Sequence, residues 1–194
     1  MKSVPELDRR PILVAIAGPN GAGKTTFYHS HIAPAALRYV AADDLARELN
    51  LDAYAAAKVA DVLRRRLVVQ RESFAFETVF SDPAGDKLRF LKETAASGYT
   101  VVLCFIGLAD PGLCEERVAM RLSQGGHDVP VEKLKSRFPR IMANLKAAIV
   151  SLPHVVVFDN SDLRTPFRKA AVFRNGQRAD KAKRVPAWLK DLMP

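Results

Sequence analysis

The chain has 194 residues, 48% of them hydrophobic, and a formal charge of +9 from 30 Lys+Arg against 21 Asp+Glu. That length and composition suffice for one ordinary core and exclude a disordered chain, a collagen or a disulfide mini-protein. The N-terminus is polar and the longest apolar runs are only strand-length, far below the roughly 18 residues of a bilayer span, so no membrane or export role is suggested.

Short β-branched runs alternate with longer helical stretches, the pattern of βαβ units around a parallel sheet. The first strand is expected at Ile12–Ala17, followed by a glycine-rich turn and a helix over Lys24–His31. A second strand at Leu37–Val40 leads into helices at Asp43–Leu49 and Tyr54–Gln70. Phe74–Glu77 and Thr100–Ile106 are the third and fourth strands, separated by a helix over Ala84–Ser97 that Gly98 closes. Asp110 reads as the N-cap and Pro111 as the first turn of a helix reaching Ser123. A helix over Val131–Val150 and a fifth strand at His154–Phe158 follow. Beyond Ser161, Arg174-Asn175-Gly176-Gln177 reads as a hairpin turn between short edge strands, and Val185–Leu189 as a last short helix. Most strands are apolar throughout, as strands covered on both faces should be. Two cysteines, Cys104 and Cys114, cannot form a disulfide framework, and Cys104 is expected as a buried, reduced thiol in a cytoplasmic protein. One domain, 1–194, is the expectation.

Directly after the first strand stand Gly18, Pro19, Asn20, Gly21, Ala22, Gly23, Lys24 and Thr25, a full G-x-x-x-x-G-K-[ST] pattern in strand–loop–helix context. A random chain of this length matches on the order of once in a hundred. The glycines let successive backbone N–H groups wrap a phosphate at the positive end of the following helix. Lys24 would bridge the β- and γ-phosphates, Thr25 would place its hydroxyl on Mg²⁺, and Thr26 is a candidate for an α-phosphate oxygen. The predicted fold class is therefore an α/β, three-layer P-loop NTPase with a five-stranded, mostly parallel sheet, a helical lid and a short C-terminal edge hairpin.

A P-loop specifies a nucleoside triphosphate and not what is done with it. A switch GTPase would carry D-x-x-G and N-K-x-D, and neither is present. Val155–Asp159 resembles the apolar run of an ATPase but lacks the second acid; Asp159 is either a group near Mg²⁺ or a residue at a sheet edge. Asp43 and Glu77, by contrast, follow strands whose carboxyl ends gather beside the P-loop. Carboxylates there can activate an acceptor hydroxyl and hold Mg²⁺, which is the layout of a small-molecule kinase. For Asp43 and Asp44 the alternative is a helix N-cap.

The sequence resembles the zeta-toxin-like P-loop kinases over nearly its whole length. The motifs that carry the resemblance are GPNGAGKTT, VAADDLA, FETVFS, RVAMRLSQGGHDVP, RFPRIMANL, VFDNS and PAWL. Ala41 stands where that family tends to carry Asn. The resemblance implies ATP and Mg²⁺ as cofactors, Asp43 as the acceptor-activating base, Lys24 as the phosphate lysine, and Glu77 with Thr78 at the metal and acceptor site. It also implies a lid, about 117–140, whose arginines neutralise the transferred phosphate. Arg121 and Arg137 are the favoured pair, Arg117 and Arg140 are as readily solvated, and His127 is a candidate phosphate or substrate contact. In that family the acceptor is UDP-N-acetylglucosamine, phosphorylated on the sugar 3′-hydroxyl, and a small antitoxin protein is the partner. Arg64, Arg65 and Arg66 read as a solvated helix face with one of them a candidate for the edge of the acceptor cleft, and Asn144 as a substrate contact or a helix-packing group.

Two readings compete with this one: a kinase of another nucleotide, nucleoside or sugar, and a nucleotide-dependent binding module with little turnover. A third, nucleic-acid binding, rests only on the basic C-terminal segment 161–194. That segment carries nine Lys/Arg and three Asp, outside every phosphate motif, so a nucleic-acid partner is not favoured.

Overall fold

The structure is a computed structural model that describes residues 5–122, 129–180 and 184–193. Seven strands form one sheet: β1 (Ile12–Ala17), β2 (Arg38–Val40), β3 (Phe74–Thr78), β4 (Thr100–Gly107), β5 (His154–Asp159), β6 (Arg168–Arg174) and β7 (Gln177–Arg178), in the order β2, β3, β1, β4, β5, β6, β7. The first five are parallel. β6 runs antiparallel to β5, and β7 antiparallel to β6. The Asn175-Gly176 turn forms as its residue types require, with φ of 49° and 79°.

The sheet thus has seven strands where a five-stranded sheet with a short C-terminal edge hairpin was expected. Val155, Val156 and Val157 of β5 are apolar and buried. β5 could not be a bare edge without leaving its backbone groups unpaired, and β6 covers it along its whole length. Asp159 therefore lies between two paired strands rather than at an edge.

Helices cover both faces. α1 (Lys24–Phe27) and α5 (Pro111–Leu122) lie on one, where Ile12, Val14 and Ile16 pack with Phe27, Ile32, Cys104 and Cys114. α3 (Ala53–Val69), α4 (Asp86–Ala96) and α6 (Val131–Ser151) lie on the other, where Leu13, Phe74, Phe76 and Phe105 meet Leu67, Leu91 and Leu145. Each such side chain, fully buried, contributes about 1.5–3 kcal/mol. α2 (Ala42–Glu48) bridges β2 to α3, and α7 (Ala187–Lys190) returns to the sheet.

The helix expected over Lys24–His31 keeps α-geometry only to Phe27, continues as a π-turn over Tyr28–Ile32 and tightens into a 3₁₀ turn over Ala33–Ala35. Ser30 Oγ donates to the Thr26 carbonyl at 2.7 Å, and Pro34 cannot continue the ladder. Asp110 caps α5 as expected, its Oδ1 accepting from Leu113 N at 3.0 Å. Both cysteines are buried and unpaired. Burial raises the pKa of each thiol, that of Cys114 to about 11. Among the described residues, no helix is long and apolar enough to cross a membrane.

Candidate active site

The crossover from β1 to α1 builds the loop expected to cradle phosphate. Gly18 has φ 149°, and a Cβ there would stand 2.2 Å from the Ile106 carbonyl oxygen, so only glycine lets β1 turn so close to β4. Lys24 Nζ donates to the carbonyls of Gly18 and Pro19 at 3.1 and 3.0 Å, folding its side chain back over the loop. Burial lowers its pKa, opposed by the carboxylates of Glu77 and Asp43 and assisted by Arg121. These four charges therefore share one neighbourhood.

The parallel register explains why. β1, β2 and β3 all end at the same edge, with Val40 opposite Phe76 and Ala17 opposite Thr78. Glu77 reaches α1, where its Oε2 accepts from Thr25 Oγ1 at 2.9 Å. The same oxygen accepts from the Tyr39 hydroxyl at 2.7 Å. Burial and the facing carboxylate push the Tyr39 pKa up, so the phenol remains a donor. Asp43 is in the first turn of α2. Neither it nor Asp44 caps that helix, whose N-cap is Ala41 with no side-chain bond. Asp44 pairs instead with Arg47 on the same helix.

A cavity of about 590 Å³ opens over this edge. Asn20, Gly21, Gly23, Lys24, Thr25 and Thr26 line it from the P-loop, Asp43 from α2, and Glu77 and Thr78 from β3. Arg117 and Arg121 of α5 and Arg137 of α6 close its far side. Gly18, Pro19 and Ala22 do not line it; they shape the loop from behind. Arg117, read as equally suited to solvent, is partly buried, and its Nη2 donates to the Ser161 carbonyl at 3.2 Å. His127 and the glycines beside it lie outside the described residues.

A second, shallower cavity of about 350 Å³ adjoins the first, sharing Thr78, Val79, Lys87 and Arg137 and adding Asp82 and Arg140. Its floor is the segment after β3, which Asn144 of α6 holds by donating Nδ2 to the carbonyls of Phe80 and Asp82, both at 3.0 Å. Asn144 is thus a packing group. Asn144→Ala leaves two partly buried carbonyls without that donor. It should cost about 1–2 kcal/mol, read as a lower urea midpoint at unchanged slope.

Four residues of the site were not identified from the sequence, Arg64 being foreseen only as one of three arginines of which one was a candidate for the cleft edge. Arg64, expected on a solvated face, is 4% exposed, ion-paired with Asp61 and laid over the Phe76 ring at 4.7 Å. Lys87 Nζ donates to the same Asp61 at 2.6 Å, so one carboxylate orients two cations at the cleft. A signal for Arg64 existed: Ala56, Ala60, Arg64 and Leu67 follow one helical row and are all buried. Asn160 is buried and ties three segments together. Its N–H donates to the Gly107 carbonyl at 3.0 Å, its Nδ2 to the Ala22 carbonyl at 2.9 Å, and its Oδ1 accepts from Phe167 N at 3.1 Å. Tyr39 is the fourth.

Asp159 does not line the cleft. Its Oδ1 accepts from Ser161 Oγ at 2.6 Å and Trp188 Nε1 at 3.3 Å, and its Oδ2 from Arg168 at 2.8 Å. Burial alone would raise its pKa, but the bonds from Ser161, Arg168 and Trp188 outweigh that and hold the carboxyl below its usual range. It is a clamp for α7, whose Trp188 ring occupies the space a Cβ on Gly107 would need. Of the C-terminal basic residues, Arg168, Arg174 and Arg178 are ion-paired, with Asp159, Glu6 and Asp180.

For Mg²⁺, the donor set is one hydroxyl and one carboxylate, Thr25 and Glu77, within hydrogen-bond distance at the open mouth of a phosphate cradle. This fits an ion that keeps most of its waters and is held by one or two carboxylates and substrate phosphates. Among the described residues, no cluster of three or more His, Cys, Asp or Glu offers an all-protein cage.

No curated protein sequence matches the chain. Among solved structures, the AvrRxo1-ORF1:ORF2 complex with ATP aligns with a TM-score of 0.68 at 18% identity, covering 93% of this chain and 63% of that one. The chain thus spans less than two thirds of that relative's length. The PezAT chromosomal toxin–antitoxin system of Streptococcus pneumoniae aligns with a TM-score of 0.58 at 17% identity, covering 84% and 72%. The Pnkp1/Rnl/Hen1 RNA repair complex gives 0.58 at 15%, covering 90% and 53%. Identities this low speak for the fold alone, and the fold is that of P-loop kinases. The family model described as Zeta toxin matches residues 38–171. That segment is well over half of the chain and holds β2, β3, Asp43, Glu77 and all the α5 and α6 arginines of the cleft, so the chain belongs to the Zeta toxin family.

Proposed function

We propose that the protein is an ATP- and Mg²⁺-dependent kinase that transfers the γ-phosphate to a hydroxyl of a small anionic acceptor, with a nucleotide-sugar such as UDP-N-acetylglucosamine the first candidate. The observation that carries this reading is the convergence of Lys24, Thr25, Asp43 and Glu77 on one cavity of about 590 Å³.

In this mechanism Gly21, Gly23, Lys24 and Thr26 hold the triphosphate through backbone N–H groups, an ammonium and a hydroxyl. Thr25 and Glu77 would hold Mg²⁺, which would supply positive charge against the triphosphate. Asp43 accepts the acceptor's hydroxyl proton as that oxygen bonds to the γ-phosphorus, and the bond from the γ-phosphorus to the β–γ bridging oxygen breaks to release ADP. Arg121 and Arg137 face the charge on the transferred group, with Arg117 beside them. A lid carrying the α5 and α6 arginines, as the resemblance implies, would keep water from the γ-phosphate.

The adjoining cavity supports an anionic acceptor. Arg137 and Arg140, one turn apart on α6, and Lys87 on α4 line it against a single carboxylate, Asp82. A phosphate on the acceptor would meet these cations while its hydroxyl lies at Asp43. A cytoplasmic setting belongs to the same reading, as does an antitoxin partner, in keeping with the toxin–antitoxin system named for the PezAT likeness.

The test is transfer of label from γ-labelled ATP to a panel of nucleotide-sugars, nucleosides and neutral sugars. Transfer to an anionic member, and little to its neutral counterpart, is the expected result. Tight ATP binding with transfer to no acceptor in the panel or in a metabolite extract would overturn the kinase and leave a nucleotide-dependent binding module.

A further inference from the structure

The geometry points to Tyr39 as a positioning residue that holds the Glu77 carboxylate onto Thr25 and so sets the affinity of the site for a divalent cation; the inference rests on the kinase reading above. The register makes the contact. Tyr39 is paired with Ala75, so Glu77, two residues further along β3, lies diagonally across from it on the same face of the sheet. A tyrosine spans that diagonal, and its hydroxyl stands 2.7 Å from Glu77 Oε2.

What places the hydroxyl is independent of Glu77. The Tyr39 ring is stacked on Tyr28, with centroids 3.6 Å apart and planes at 10°. Tyr28 is buried, and its own hydroxyl donates to the Leu37 carbonyl at 3.4 Å. The donor is therefore fixed by β2 and by the segment after α1, and the flexible glutamate is what adapts. A glutamate held only by Thr25 Oγ1 would share its one anchor with the metal, since the same hydroxyl is the P-loop's candidate ligand. With Tyr39 on Oε2, the carboxylate keeps its orientation when the Thr25 hydroxyl turns to a cation. Groups that orient a metal's carboxylate in this way typically matter about 10–100-fold in metal affinity. Mg²⁺ is strict about octahedral geometry, so a carboxylate free to swing is a poorer partner. No motif marks Tyr39; only the strand pairing shows it.

The experiment measures binding of Mn²⁺ to the full chain loaded with a non-hydrolysable ATP analogue, by electron paramagnetic resonance, in wild type, Tyr39→Phe, Glu77→Gln and the double variant. The phenylalanine keeps the stack on Tyr28, and the melting midpoint reports whether the fold survives. Tyr39→Phe should weaken Mn²⁺ binding about tenfold. Its affinity for the analogue in EDTA should stay within about twofold, and it should add nothing further in the Glu77→Gln background, as expected for two residues acting through one contact. Unchanged Mn²⁺ affinity, or equal weakening in the Glu77→Gln background, would overturn the role. So would a loss of metal-free analogue binding together with a lower melting midpoint, since that marks a structural residue. Absence of any Mn²⁺ site in the loaded wild-type protein is a different result: it would sink the metal-dependent kinase reading itself, and this inference with it.

Discussion

Replacing Asp43 by alanine is expected to lower kcat for phosphoryl transfer about a thousand-fold, within the range for losing a general base, while ATP affinity changes little. Asp43 belongs to the first turn of α2, outside the P-loop, and is exposed to the cleft rather than built into the core. Its removal takes away neither a cap nor a packing contact. It does remove one of the two carboxylates that stabilise the Lys24 ammonium, so any change in ATP binding should be slight and favour binding through reduced repulsion. Rapid-quench assays under single turnover, beside isothermal titration with ATP, separate the two quantities. Equal loss of transfer and binding would show Asp43 to be a nucleotide contact. Asp44→Ala is the matched comparison: its partner is Arg47, and transfer should stay within about threefold, as for an exposed ion pair of small worth.

The second large effect is on binding. Lys24→Ala is expected to reduce kcat/KM about a thousand-fold through both ATP affinity and kcat, because a lysine clamp acts on the ground state and on the charge that develops in transfer. Its ammonium donates to the carbonyls of Gly18 and Pro19. A bound phosphate offers the same ammonium a full negative charge in a partly buried site, where a charge-assisted bond is about twice as strong as a neutral one. Fluorescence titration with a labelled nucleotide reads the affinity, and the same single-turnover assay reads the rate. Retained affinity would mean that the cradle's backbone N–H groups alone carry the triphosphate. Lys24→Arg should not rescue, since the longer planar fork does not fit a loop folded this tightly.

Much of the fold was legible because its signals are local. Strand β1 has the expected bounds, and β3, β4 and β5 differ by a residue at their ends, since a doubly covered strand must be apolar along its length and glycine or polar residues mark where cover stops. The P-loop was legible for the same reason: eight consecutive residues contain the whole device. The seventh strand count was not. An Asn-Gly turn announces a hairpin, but whether β6 pairs with β5 depends on backbone groups that β5 leaves unpaired, which no residue in β6 records. Asp159 shows the same limit. An apolar run ending in Asp suggests a metal, yet Ser161, Arg168 and Trp188 arrive from later in the chain and use both of its oxygens.

The site divides along that line. Sequence by itself determined the P-loop turn, the placing of the two strand-end carboxylates beside it and the family, because each rests on residues adjacent in the chain or on strand ends that a parallel sheet must gather. Only the tertiary structure decided that Arg64 is buried while Arg65 and Arg66 are exposed, that Asp61 orients Lys87 with it, that Asn144 and Asn160 are struts, and that Tyr39 grips Glu77. Those facts depend on the phase of a helix against the sheet and on a register between strands more than thirty residues apart. Such pairings are set by the packing of whole faces, so the identity of any one residue carries little of the information.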